Sequence, residues 1–375
     1  MPIYRKLQRL VLISLAPFLC SCTSIAYYGQ SISGQLQLLR AQRDFSEVYN
    51  DASVSEEIKE RLRIISGIRD FASERLSLPD NDSYRKFADI GRRYIVWNVF
   101  ASPALSLEPH QSCFFVVGCL SYRGYFHRKD ALSYMEQLQH KGFDVYLGGV
   151  SAYSTLGWFD DPVLNGMLER SNVDLARLIF HELAHQRLYL PDDSEFNEAF
   201  AEAVARIGVE YWLENQSDEE QHKDFISSLA REREFNELVL LYRSKLEALY
   251  ATDISDKQKL ADKQRILSSL KSDYLRVKES WGGNDDYDQW IHEVNNARIA
   301  AVSTYQSLVP DFLRMYIHLE EDLDRFYTEM EALSSCSRQG RREILDMHKP
   351  GTDCMSKDSE KPGSVSSTQR QNQVN

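Results

Sequence analysis

The chain has 375 residues, 43% of them hydrophobic, which is enough to bury a core in one large domain or two. Its 44 basic residues face 56 acidic ones, for a formal net charge of −12, with no cluster of basic groups. That balance argues against a nucleic-acid partner and against a polybasic hold on a membrane.

Arg5, Lys6 and Arg9 precede an apolar run from Leu10 to Leu19, broken only by Ser14 and Pro17. A spanning helix needs roughly 20 apolar residues, so this run suits the apolar region of a secretory signal. The Leu19-Cys20-Ser21-Cys22 end resembles the bacterial lipobox, which implies that Cys22 is the lipidated first residue of the mature chain. Cys20 is the rival position, and an uncleaved anchor is the alternative. Residues 1–21 are thus expected to be a signal peptide and 22–35 a tether, rich in small residues and tyrosine. The protein would then face the periplasm on the outer membrane of a Gram-negative bacterium, held by its lipid. No later stretch is long and apolar enough to span a membrane.

Apolar positions at helical spacing predict a helix over 33–48 and another over 53–78, ended by Pro79. Between Tyr94 and Val150, runs rich in branched and aromatic residues predict strands at 94–100, 114–117 and 144–147. With a helix expected over 128–141, they would form a small mixed sheet. Cys113 and Cys119 flank a five-residue segment, and an exported protein permits a disulfide clip there; Cys336–Cys354 is a second option. Everything after Ser171 reads as helical. Long charged stretches at 223–250 and 254–281 predict a hairpin arm at about 220–281, available to a protein partner. Further helices are expected over 289–308 and from Pro310 to about Leu333. From Gly351 onward there is almost nothing to bury, and residues 341–375 are expected to be a disordered tail. The predicted class is α+β, predominantly α-helical, with residues 36–340 as one domain.

The segment that carries chemistry is His181-Glu182-Leu183-Ala184-His185. Histidines four apart on a helix lie one above the other on one face, so both rings can bind one zinc ion. Glu182 sits beside that face, where a carboxylate can act as general base toward water. Ser171 or Asn172 can cap this helix, and Leu190-Pro191 ends it. A second helix follows, announced by Asp192 or Asp193 with Glu195. On it, Glu198 and Glu202 share a face at i, i+4. Glu198 is the expected third ligand, with Glu195 the rival, and Glu202 is expected to orient a histidine from behind.

His181-Glu182-Leu183-Ala184-His185 followed by Asn197-Glu198 and Glu202 resembles the gluzincin branch of metallopeptidases. The chain departs from it in having Glu rather than Asp at 202, and a short spacing from His185 to Glu198. The lipobox, Ser31 to Gln35, Ser121-Tyr122-Arg123-Gly124-Tyr125, the run from Gly148 to Pro162 and Asn295-Asn296-Ala297-Arg298 together resemble the family of predicted aminopeptidases found as lipoproteins in Gram-negative bacteria. The resemblance implies a zincin-like core with one Zn2+ and a peptide substrate. It makes 144–157 the strand and loop beside the active-site helix, and Tyr122, Arg123, Tyr153 and Tyr305 candidates for touching substrate or the oxyanion. The alternatives are an endopeptidase or amidase acting on cell-wall peptides, and a non-catalytic envelope scaffold.

Overall fold

A computed structural model of the chain describes residues 22–114, 118–152, 155, 159–306 and 308–347. It divides into two compact units, 1–310 and 311–375. Among the described residues helix dominates, with three small sheets. No helix among the described residues is long and apolar enough to cross a membrane.

The first helix, α1 (Cys22–Ala41), runs continuously through the segment expected to be a tether. It docks through Gln30, whose side-chain oxygen accepts the Phe126 N–H at 2.9 Å. At Gly34 any Cβ would collide with the Phe126 ring, so only glycine permits this approach. The helix expected over 33–48 is interrupted by β1 (Gln42–Asp44), after which α2 (Phe45–Asn50) resumes. Pairing overrides helical spacing here: β1 lies antiparallel to β2 (Lys86–Ala88), which lies parallel to β8 (Val163–Leu164). Helix α3 (Glu56–Leu76) starts at Ser55, whose hydroxyl accepts the Ile58 N–H, and stops at Ser77 in the left-handed region with φ 51°.

The main sheet is antiparallel in the order β6 (Tyr122–Tyr125), β3 (Val96–Pro103), β7 (Phe143–Val150). Helix α4 (Arg128–His140) covers one face, burying Ala131 and Leu138 against Val99, Ala101, Tyr125 and Val145. Strands β4 (Ser112–Phe114) and β5 (Gly118–Leu120) pair as a hairpin closed by a Cys113–Cys119 disulfide. Residues 115–117 of the expected 114–117 strand lie outside the described residues.

Helices α5 (Asn172–Arg187) and α6 (Ser194–Gln216) form the central pair. Helices α7 (Glu219–Tyr250) and α8 (Asp256–Ser280) form the hairpin. This arm has a core of its own: Phe235, Val239, Tyr242 and Leu246 meet Leu267, Leu270 and Tyr274. The same cluster takes in Leu107 and residues of α9 (Asp288–His292) and α10 (Asn296–Gln306).

In the second unit, the helix expected to reach Leu333 is broken. Glu320 and Glu321 have φ 62° and 59°, which separates α11 (Val309–His318) from α12 (Leu323–Leu333), and Asp322 caps the latter. Helix α13 (Arg338–Met347) follows, with Ile344 and Leu345 buried. The tail expected over 341–375 is therefore helical as far as Met347, because Ile344 and Leu345 find a place to be buried; from 348 onward it lies outside the described residues, and so does Cys354.

Candidate metal centre

The segment from His181 to His185 is helical because both ends and one face of its helix are specified locally. Ser171 caps α5 by accepting the Asp174 N–H at 3.0 Å. Leu175, Ala176, Ile179, Phe180, Leu183 and Ala184 are fully buried. Each large side chain among them contributes about 1.5–3 kcal/mol of burial, which fixes the rotation of the helix about its axis. The helix ends as Leu188 turns extended ahead of Pro191, and Asp192 takes a left-handed φ of 64°. Asp193, rather than Asp192, caps α6. The connector is pinned by buried Asn197, whose amide donates to the Leu190 carbonyl at 2.7 Å and accepts the Leu190 N–H at 2.8 Å.

That clamp brings the two helices together at His181, His185 and Glu198. The two Nε2 atoms are 3.1 Å apart. Glu198 Oε2 lies 3.4 Å from His181 Nε2 and 3.7 Å from His185 Nε2. Among the described residues these three form the group able to share an ion, and Glu195 is not part of it. Burial would raise the Glu198 carboxyl, but the two histidines outweigh it and hold the pKa at about 2. Burial pushes His181 down, while the hydrogen bond and charge of Glu198, with Glu182 and Glu202, raise it overall.

Glu202 Oε2 stands 3.9 Å from His181 Nδ1, a charge contact longer than a hydrogen bond. Its own position is fixed from behind. Arg177, one turn before His181, and Arg206, one turn after Glu202, both donate to it, Arg206 Nε at 2.6 Å. Both arginines also reach Glu232 on the hairpin helix α7: Arg177 Nη2 at 2.9 Å and Arg206 Nη2 at 3.1 Å. Burial opposes ionisation of Glu202, yet Arg177 and Arg206 hold its pKa at about 2. His185 has no such support among the described residues; its Nδ1 is buried without a hydrogen-bond partner there.

The sheet contributes Tyr122 from β6. Burial, then the charges of Glu198 and Glu182, keep its hydroxyl protonated far above the ordinary tyrosine range. Tyr189 on the connector is raised by burial and by Glu198. Beyond Glu182, Asp161 is buried and accepts the Thr155 N–H at 3.1 Å, with Gln186 Nε2 at 3.4 Å. Burial chiefly, with the charge of Glu182 adding, raises Asp161 to about 7.

The structure does not bring every candidate to this centre. Arg123 follows Tyr122 on a strand, so its side chain leaves on the other face, where it stacks on Tyr27 with 4.1 Å from guanidinium carbon to ring centre. Tyr153 and the side chain of Tyr305 lie outside the described residues. Sequence reasoning passed over the Arg177, Arg206 and Glu232 network. The arginines carry a signal, since each is four residues from a chosen site residue on the same helix. Glu232 carries none, because only the packing of α7 delivers it.

A family model described as "Putative aminopeptidase" matches residues 26–345. Among curated proteins and among solved structures, no match to the chain is found. The matched span contains both helices of the centre, the sheet that supplies Tyr122 and the whole hairpin, and over that span the chain belongs to the Putative aminopeptidase family.

Proposed function

We propose that this family member is a zinc-dependent metallopeptidase, working as an aminopeptidase on peptides of the cell envelope. The observation that carries the reading is the triangle of His181 Nε2, His185 Nε2 and Glu198 Oε2, with edges of 3.1, 3.4 and 3.7 Å. Ligands about 2.0–2.1 Å from a tetrahedral ion stand about 3.3–3.4 Å apart, and the three edges bracket that value. Two imidazoles and one carboxylate are also the donor set of catalytic zinc, where three protein ligands leave one position open.

A zinc ion held there supplies Lewis acidity toward a peptide carbonyl and lowers the pKa of water toward neutrality. The chain's own groups do the rest. Glu182 accepts the proton of the attacking water on its carboxylate and passes it to the leaving amine. Tyr122, kept protonated by its surroundings, donates a hydrogen bond to the oxygen of the scissile carbonyl as charge develops there. Glu202, braced by two arginines, holds the His181 ring in its orientation. A lipid on Cys22 would keep this chemistry at the membrane surface.

Glu182→Gln tests the assignment on a free and an N-blocked peptide of one sequence. Turnover should fall roughly a hundred- to ten-thousand-fold while zinc stays bound. Full activity in the variant would remove Glu182 from the mechanism. Equal cleavage of both peptides by the native chain would make it an endopeptidase.

A further inference from the structure

Arg123 is left without a role by the metal centre, and its surroundings are unusual for an arginine. Its guanidinium carbon lies 4.1 Å from the ring centre of Tyr27, 5.0 Å from Tyr134 and 5.7 Å from Tyr125. A guanidinium carries five N–H donors in its plane. Among the described residues none of them has a carboxylate or hydrogen-bond partner, and Nε is completely buried without one. A donor buried in this way is costly.

Rings stacked on the faces of a guanidinium leave its N–H edge free. Arg123 lines a cavity of about 240 Å3, together with His110, Gln111, Ser112 and Tyr28, with Gln111 and Tyr28 exposed at the rim. Burial, Lys141 and Arg123 itself hold His110 below the ordinary histidine pKa, so it is neutral near pH 7. Among its described lining residues the cavity therefore offers one fixed positive charge, several neutral hydrogen-bonding groups and no acid. A planar N–H fork in such a setting matches the oxygens of a phosphate.

We propose that this pocket binds a phosphate group through Arg123 and that the group is the phosphate of a lipid headgroup. The site stands on the geometry alone, whereas the lipid source rests on the lipidation of Cys22. Tyr27 and Tyr28 follow Cys22 by five and six residues on α1, a helical rise of about 7–9 Å. A chain anchored at Cys22 holds this rim at the height of the headgroups. Aromatic residues with one polar end suit that boundary.

The test is isothermal titration of the full chain, in detergent, with inorganic phosphate, glycerol 3-phosphate and acetate, repeated on Arg123→Gln and Arg123→Lys. Both phosphates should bind the native chain more tightly than acetate, with glycerol 3-phosphate the tightest. Arg123→Gln should weaken them roughly tenfold or more. Arg123→Lys keeps the charge and loses the fork, so it should fall between the two, and it carries the test should Arg123→Gln fail to fold. No binding to the native chain, acetate binding as tightly as the phosphates, or unchanged affinity in both variants would overturn the site. Inorganic phosphate binding more tightly than glycerol 3-phosphate would overturn the headgroup as its source.

Discussion

The helix pair α5–α6 and the hairpin α7–α8 are built by different means. In the pair, small and large apolar residues on facing sides are fully buried, and the site residues ride on that dry contact. In the hairpin, exposed charge covers most of each helix, and besides a local aromatic cluster each helix makes a buried ionic tie to the body. On α7 the tie is Glu232 to Arg177 and Arg206. On α8 it is Lys263, 3% exposed, which meets Asp144 of β7 at 2.6 Å and the Ala104 carbonyl at 2.9 Å. Apolar packing tolerates small shifts, whereas an ionic tie fixes one register of a long helix. The hairpin thus braces the proposed metal centre from outside, with Glu232 its point of contact with the charge behind His181.

Breaking the outer tie should have the larger effect on stability. Among the described residues, Lys263→Ala leaves the Asp144 carboxylate with the Asn296 N–H at 2.8 Å as its remaining partner. Removing one member of a buried pair costs about 3–5 kcal/mol, and the partial exposure of Asp144 places this case at the low end. Urea denaturation would measure the loss, and a change under 1 kcal/mol would mean that the aromatic cluster alone holds α8. Cutting the inner tie should act on function instead. Glu232→Gln keeps the shape but removes the charge that shares both arginines with Glu202, and metal affinity should drop about tenfold, the low end for groups supporting a ligand. A competitive chelator titration reads this directly, and unchanged affinity would detach the hairpin from the centre.

A smaller effect separates the pair from its surroundings. Asp161 has a folded pKa of about 7, raised from 3.8 by burial, so folding favours its neutral form. Its contribution to stability is fully present below pH 3.8 and is lost as pH rises through 7. Asp161→Asn cannot ionise, so its stability relative to the native chain should climb between pH 4 and 7 by on the order of 1 kcal/mol or more. Parallel pH profiles for the two chains would show that Asp161 is ionised in the folded chain.

The contrast between pair and hairpin also explains what could be read from the sequence. The convergence of His181, His185 and Glu198 was legible because helical periodicity turns spacing into geometry, and the cap at Ser171 and the stop at Pro191 mark where it applies. The class of the fold followed from the same periodicity, together with the strand character of 94–150. Three features escaped for one reason: each depends on a partner distant in sequence. Gln42–Asp44 leaves the helical pattern because Lys86–Ala88 offers a strand to pair with. The tether became a helix because Phe126 receives Gly34 and Gln30. Tyr122 and Arg123, neighbours in one motif, part company because pairing with Trp97–Phe100 makes 122–125 a strand, which sends successive side chains to opposite faces.

The most direct test is the metal content of the purified chain, measured by mass spectrometry after dialysis against low zinc, for the native protein and for His181→Ala combined with His185→Ala. About one zinc ion per native chain and almost none in the double variant is the expected result. A native chain that retains no divalent metal, or a double variant that retains as much as the native chain, would contradict a metal centre at His181, His185 and Glu198.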